Sequence, residues 1–484
     1  MAEKLLFGAS VADDAQVNQH FIARRHTALE FQNSQVLKNL ARRTWHAYAL
    51  EWHQGQLQEI RSIVDKLLKI NMTLHSQLLD ISCRLLPGSC NKDVTLFNTR
   101  SPLYSIFNKA WCPDPAKFRR AFFDEKRHDA LFKMVDFFIC SMPPAMCQLY
   151  MPFNKSILAL VPFRMEYGRE SPELFDRWVS DLQSISKMRI HQIFSQTVSD
   201  IAHVKYFTGV TATYLPSVCM HVGTTYFPWR SEILALGTDE YAEIIAEECN
   251  KCDLRFKISA FERQVAYGSQ VVGFLDQLAG FSAIIFFPYC YISILFLELY
   301  AMEMPMIFPS LDCLVRMDSD DVGIMKRHVL WYGLPKRTDA EAAPTSREHA
   351  DLREWHSRAE FYNMPGITYF DSMADLKQTI NTLDTVQQSR VMREHNRKRL
   401  QDVTIKWMDA LSRIDEHGGS DRQMPVDFDY AMETLFGQSH ALEVGGPNCN
   451  RLSAVDQGVL PREGADFSQR QEKLTTEIVL RNIE

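Results

Sequence analysis

The sequence predicts an α/β fold of two doubly wound, Rossmann-like domains, with a helical N-terminal extension and a disordered C-terminal tail. Three observations carry this. Short apolar runs alternate with helix-like segments over residues 135–215, the same alternation returns over 232–370, and within it residues 281–311 set strand, helix and strand in immediate succession. Repeated strand–helix–strand order implies parallel sheets, and ligands of such sheets bind outside the carboxyl ends of the strands.

Taken in order, residues 27–86 place apolar side chains at helical spacing among Gln, His, Arg and Lys, as in Leu57, Ile60, Ile63, Val64, Leu67 and Leu68. This predicts a helical N-terminal region over 1–90, packed on the main body and a candidate surface for a protein partner. A first Rossmann-like domain is expected over 91–222. Its elements are a helix at 113–133, a buried strand at 135–140 (VDFFIC) before Pro143 and Pro144, and a strand at 157–161 (ILALV) leading into Arg164 and Glu166. A helix at 172–187, a strand at 192–195, a helix at 200–208 stopped by Gly209 and a strand at 213–215 complete it. The second domain, over 223–384, opens with the strand 232–236 and closes with 366–370. A long helix occupies 385–416, and the Gly-rich, mixed-charge segment 417–484 reads as mostly disordered.

Composition narrows the class. The 484 residues are 46% hydrophobic, enough for two cores. A formal net charge of -7 gives no basic field for nucleic acid. Eleven cysteines are scattered without a framework, among them Cys83, Cys90, Cys112, Cys140 and Cys147, which predicts reduced thiols. The N-terminal stretch has no sustained apolar segment of the secretory kind, so a cytoplasmic protein, or one on the cytosolic face of a membrane, is expected. The apolar run 284–297 is interrupted by Pro288 and Ser293 and is shorter than the roughly 20 residues of a membrane helix, so no transmembrane segment is expected.

Within residues 281–311 the apolar run Ala283 to Phe287 reads as a buried parallel strand, the segment 292–302 as a helix and 306–308, behind Pro305, as the next strand. Glu298 is the acidic residue of a helix otherwise built from Leu, Ile, Phe and Tyr. Such a carboxylate faces something polar and enclosed. Ser293 and Tyr289 stand at the start of the same helix, where first-turn amides and a hydroxyl can meet phosphate or sugar oxygens; Ser293 serves equally well as a plain cap.

The string from Ile284 through Pro288, Ser293, Glu298, Ala301, Pro305 and Ser310 resembles the nucleotide-sugar segment of GT-B glycosyltransferases, with its strand, paired glutamates eight residues apart, Ala-to-Pro spacing and strand. Glu298 falls on the second glutamate, which in that family holds the donor ribose; Cys290 stands where the first would lie. The resemblance covers about residues 130–414. It implies an interdomain linker near 218–230, an acceptor side in the first domain, a nucleotide-sugar side in the second, and a terminal helix crossing back to the first domain.

The implied activity is metal-independent transfer of a sugar, of hexosyl type, from a nucleotide-sugar donor to a glycan, lipid or protein acceptor, with no cofactor besides the donor. Donor-binding candidates are Glu298, Ser293 and Tyr289, with Arg164 and Glu166 across the cleft; the general base is not identified. The diphosphate needs a cation, and residues 234–240 contain none, leaving Arg255 or Lys257. The alternative is a catalytically inactive GT-B-like scaffold or binding protein, which Cys290 favours. Cys249 and Cys252 form a lone C-x-x-C with no second pair for zinc, and Asp318-Ser319-Asp320, in a polar loop before the segment 322–333, reads as a helix cap rather than a metal motif.

Overall fold

The computed structural model describes residues 35–51, 54–78, 94–96, 115–142, 144–162, 172–237, 239–260, 274–288, 290–291, 293–319, 342–344 and 346–417. Along the first lobe run α1 (Gln35–Leu40), β1 (Trp45–Glu51), α2 (Gln54–Ser62), which continues through a π-helical turn at Ile63–Leu68, β2 (Met72–Leu78), β3 (Val94–Leu96), α3 (Pro115–Lys126), α4 (Ala130–Met134) and β4 (Phe137–Cys140). Then follow α5 (Cys147–Tyr150), β5 (Ser156–Leu160), α6 (Pro172–Lys187), β6 (Gln192–Ser195), α7 (Val198–Thr208) and β7 (Thr213–Tyr214). The second lobe holds β8 (Glu232–Leu236), α8 (Asp239–Asn250), β9 (Lys257–Ala260), α9 (Phe274–Ala279), β10 (Ala283–Phe286), α10 (Ile294–Ala301), β11 (Met306–Pro309) and α11 (Leu311–Ser319). It closes with α12 (His349–Ser357), α13 (Glu360–Asn363), β12 (Ile367–Phe370) and α14 (Met373–Thr382), after which α15 (Thr385–His417) runs back to the first lobe.

Both sheets are parallel throughout. The first has seven strands in the order β3-β2-β1-β4-β5-β6-β7, the second five in the order β12-β11-β10-β8-β9. In each, the chain first builds outward on one side and then returns to the other, between β1 and β4 in the first sheet and between β8 and β10 in the second. These switch points open a crevice at the carboxyl ends of the strands. Two doubly wound parallel sheets are thus the fold that the alternating pattern predicts.

Within the first 90 residues, the described stretches 35–51 and 54–78 correct the sequence reading. Helical spacing at Leu57, Ile60, Ile63, Val64, Leu67 and Leu68 does form α2 and its π-helical turn, all six side chains being buried. The flanking segments, however, are β1 and β2, paired in parallel from Trp45 with Met72 to Glu51 with Leu78. WHAYALE and MTLHSQL carry helix-favouring Ala, Leu, Glu and Gln, and β1 is nevertheless held extended because it is covered on both faces. What reads as a helical extension supplies the first strands of the first sheet. The predicted tail beyond His417 lies outside the described residues.

Period-two alternation sorts the first sheet's side chains. Trp45, Ala47, Ala49, Phe137, Ile139, Leu158 and Leu160 face α2 and the distal half of α15, where Val403, Trp407, Leu411 and Ile414 pack. Tyr48, Leu50, Phe138, Ile157 and Ala159 face an aromatic cluster with Phe122, Phe132, Tyr150 and Phe153, in which Phe138 and Tyr150 stack at 4.4 Å. That second core continues without a break into the second lobe.

Among the described residues the expectation of reduced thiols fails at one pair. Cys140, ending β4, and Cys147, opening α5, are joined in a disulfide with their Cα atoms 5.6 Å apart. Cys219, Cys249, Cys252, Cys290 and Cys313 remain thiols. Among the described residues no helix is long and apolar enough to cross a membrane.

Candidate functional site

The carboxyl edge of the second sheet is built by close backbone approach. Gly237, just past β8, lies against the end of β10, where an added Cβ would sit 2.8 Å from the Phe287 carbonyl oxygen; a side chain there would force the two strand ends apart. Phe287 N–H donates to Leu236 O at 2.8 Å, fixing the same junction. From this switch point the chain enters α10. Ser293 is its cap, extended at φ -130°, ψ 118°, with Oγ accepting from Phe296 N–H at 3.2 Å. The hydroxyl is buried and used by the helix, so the capping role is the one the geometry displays. Cys290 is buried in the preceding turn.

Glu298 projects from the second turn of α10 toward the linker. Its Oε1 lies 2.9 Å from Nε2 of His221, while Oε2 has no partner among the described residues. His221 reaches in the other direction, through Nδ1, to Oε2 of Glu59 on α2 at 3.4 Å. Glu59 in turn accepts from four groups of one short linker segment: Ser217 Oγ at 3.0 Å and the amides of Val218, Cys219 and Met220 at 2.7, 3.0 and 3.0 Å. Arg399 of α15 donates to the Ser217 carbonyl, and Lys66 donates to Met220 O at 3.0 Å. A carboxylate of the first lobe, an imidazole of the linker and a carboxylate of the second lobe therefore form one continuous chain.

Electrostatics follow from that geometry. Burial pulls the His221 imidazole down, but hydrogen bonds to Glu298 and Glu59, with the charges of both, outweigh it and raise it to about 9. Burial pushes Glu59 up, yet His221, the Val218 amide and the Ser217 hydroxyl overcome it and hold the carboxyl below its usual value. His221 is accordingly an imidazolium at neutral pH. Burial, with the neighbouring carboxylates Glu59 and Glu298, holds the Cys219 thiol well above its usual range. Glu59, Cys219 and His221 lie close enough, within 4.8 Å, for their donor atoms to share a metal ion. Their lone pairs are otherwise engaged: both imidazole nitrogens point at carboxylates and both Glu59 oxygens accept protein hydrogen bonds, which fits a proton better than a metal.

A second buried carboxylate marks the switch point of the first sheet. Glu51, the last residue of β1, accepts from the amides of Ser141 and Met142 at 2.7 Å each, just beyond β4. Burial raises its carboxyl to about 8 against the opposing pull of those amides. The group is fully enclosed, and it works as a clasp on the turn after β4.

Of the residues singled out from the sequence, the structure places Ser293 and Glu298 on one helix, while Tyr289, Arg164 and Glu166 lie outside the described residues. The cation candidates Arg255 and Lys257 are corrected. Lys257 pairs with Glu232, the first residue of β8, so both sit at the amino edge of the sheet, opposite the crevice. Arg255 spends its guanidinium on Leu383 O at 3.2 Å. Asp318, near the end of α11, lies 3.1 Å from Nε2 of the buried His356, an ion-pair distance inside the core. Cys249 is buried and its thiol is pushed up to about 12, which makes it unreactive. Glu59, His221 and Arg399 were not legible as site residues. Glu59 sits among Gln and Ile of an amphipathic helix and His221 in an irregular linker, with no spacing that joins them.

No protein-family model matches the sequence, and no curated protein does. Among solved structures, the glycosyltransferase SnogD from Streptomyces nogalater is similar at TM-score 0.36 and 10% identity, over 76% of this chain and 99% of that one. The glycotransferase of kitacinnamycin is similar at TM-score 0.40 and 11% identity, over 77% of this chain and 99% of that one.

Proposed function

We propose that the chain is a glycosyltransferase of hexosyl type that moves a sugar from a nucleotide-sugar donor to a glycan, lipid or protein acceptor in the cytoplasm, without a metal. The observation that carries the reading is Glu298: a carboxylate on the helix that leaves the second sheet's switch point, with one oxygen held by His221 and the other open. An oxygen so placed can accept from two vicinal ribose hydroxyls. The first-turn amides of α10 that Ser293 does not cap, those of Ile294 and Leu295, aligned with the helix dipole, offer the diphosphate donors that the cation-poor β8 turn lacks. Tyr289 is assigned to the sugar or phosphate, and Arg164 with Glu166 to the face of the donor turned toward the first lobe. In the reaction an acceptor oxygen bonds to the anomeric carbon, the bond from that carbon to the diphosphate breaks, and the nucleoside diphosphate departs with the electron pair while a base removes the acceptor proton.

A second reading is a catalytically inactive scaffold that binds nucleotide, glycan or a partner protein. One observation favours it: buried Cys290 occupies the turn from which a carboxylate would reach the donor sugar, and a thiol is a weak hydrogen-bonding substitute. The test is release of nucleoside diphosphate from UDP-glucose, GDP-mannose and ADP-glucose. Release by the wild type from one donor, abolished in Glu298→Ala, supports the transferase. Saturable binding without release selects the scaffold, and neither binding nor release overturns both nucleotide readings.

A further inference from the structure

We propose that His221 is a positioning residue for the donor site, anchored by Glu59 of the first lobe, that turns Glu298 so that its free oxygen meets the ribose. The proposal rests on Glu298 being the donor carboxylate and adds what orients it. Three observations support it. His221 Nε2 lies 2.9 Å from Glu298 Oε1, close enough to fix one carboxylate oxygen and leave Oε2 presented. The imidazole cannot swing away, because its other nitrogen faces Glu59 at 3.4 Å and Glu59 is pinned by the Ser217 hydroxyl and three consecutive linker amides. The anchor sits on the opposite lobe from the group it orients, so the ribose carboxylate is set by the relative placement of α2, linker and α10.

Among the described residues the groups facing this chain from the packed elements are few, and Lys66, on the π-helical turn after α2, reaches the linker at Met220 O. Glu59 comes from α2, Glu298 from α10, Cys219 from the linker itself, and Arg399 from α15, where its guanidinium reaches the Ser217 carbonyl and lies 5.6 Å from the Tyr300 ring centre. Cys219 is a neutral thiol at physiological pH. Two carboxylates around one imidazole leave a net negative charge that Arg399 partly offsets. A neutral His221 would donate to one carboxylate only, and Glu298 would lose either its orientation or its partner.

The experiment uses the full chain and two readouts. Isothermal titration compares UDP, GDP and ADP with the 2′,3′-dideoxy form of whichever one binds, in wild type and His221→Gln. The His221 imidazole is followed by NMR of histidine-labelled protein, assigned by its disappearance in His221→Gln. The expected result is about tenfold weaker ribonucleotide binding in His221→Gln, on the order of one lost charge-assisted hydrogen bond, with no such loss for the dideoxy form. Wild-type His221 is expected to be charged at pH 8 and neutral there in Glu298→Gln. Equal ribonucleotide affinity in both proteins, with His221 charged at pH 8, overturns the positioning role while leaving the donor site standing. A His221 that is neutral at pH 8 in the wild type overturns the relay itself. No nucleotide bound by a folded wild type with His221 charged at pH 8 instead overturns the donor reading, and the positioning role with it.

Discussion

Glu59 shows how one side chain can do the work of a loop's missing secondary structure. Three consecutive amides, of Val218, Cys219 and Met220, have no strand or helix to satisfy them, and a single buried carboxylate accepts from all three. Cys219 takes a left-handed backbone, φ 47°, to bring its amide into line. The charge so buried is balanced by His221, whose raised pKa sets a pH dependence. For an imidazole raised from about 6.5 to about 9, the stabilisation is complete below the lower value, declines as pH rises and is gone above the upper. For Glu59, held below its ordinary value, the stabilisation is present at neutral pH and is lost as pH falls through the folded value. The wild type should therefore lose roughly 3 kcal/mol relative to His221→Gln between pH 6 and pH 9.5, read from urea midpoints at each pH. Parallel stability profiles of the two proteins would contradict a charged His221.

At the scale of elements, α15 and the two switch-point turns are the parts that hold the site. The proximal half of α15 is fastened to the second lobe by Gln388 on Met306 O, Arg393 on Glu303 at 2.8 Å and Asn396 on Tyr300 O at 2.8 Å. Its distal half is fastened to the first lobe by Gln192 on Ala410 O at 2.8 Å and by Trp407, 2% exposed among Leu67, Leu158 and their neighbours. Trp407→Ala should cost about 3–5 kcal/mol through the cavity it leaves, read as a shift of the denaturant midpoint with unchanged slope. On the donor side, Gly237→Ala should cost about 1–3 kcal/mol by driving a methyl into Phe287, and should weaken nucleotide binding along with stability. An Ala variant as stable as wild type would mean that the β8 and β10 ends can part without cost.

The same elements show what was legible beforehand. Strands such as FFIC, SILAL, EILAL and AIIF are short, apolar and bounded by Pro, Gly or Ser, and they declare themselves as buried parallel strands. The strand WHAYALE does not, because its residues favour a helix and only the neighbours that cover both its faces make it extended. The site divides in the same way. Glu298 stands out because a lone carboxylate on an apolar helix needs a reason, which is a local signal. His221 and Glu59 are 162 residues apart and meet only through the fold, so no spacing could have announced them. Arg255 and Lys257 misled for a related reason: closeness in sequence to β8 does not tell which end of the sheet a residue occupies.

For the molecule as a whole, among the described residues the lobes are joined at three places besides the linker. The Glu59–His221–Glu298 chain is one, α15 another, and the third is a seam where Trp355 of α12 meets His203 and Tyr206 of α7 at 6.2 and 6.1 Å, flanked by Tyr214 on Glu360 at 3.4 Å. One apolar core passes through both lobes. The architecture thus ties the second lobe's carboxylate to the first lobe's helix. The central claim is that this arrangement binds a nucleotide-sugar donor through Glu298. The most direct measurement is a calorimetric titration of the purified full chain with UDP-, GDP- and ADP-sugars, with Glu298→Ala in parallel and its folding checked by circular dichroism. The account predicts saturable binding of one donor by the wild type and at least about tenfold weaker binding by the folded variant, the loss expected when a carboxylate no longer accepts the ribose hydroxyls. Binding of equal strength in both proteins, or no binding by a folded wild type, would contradict it.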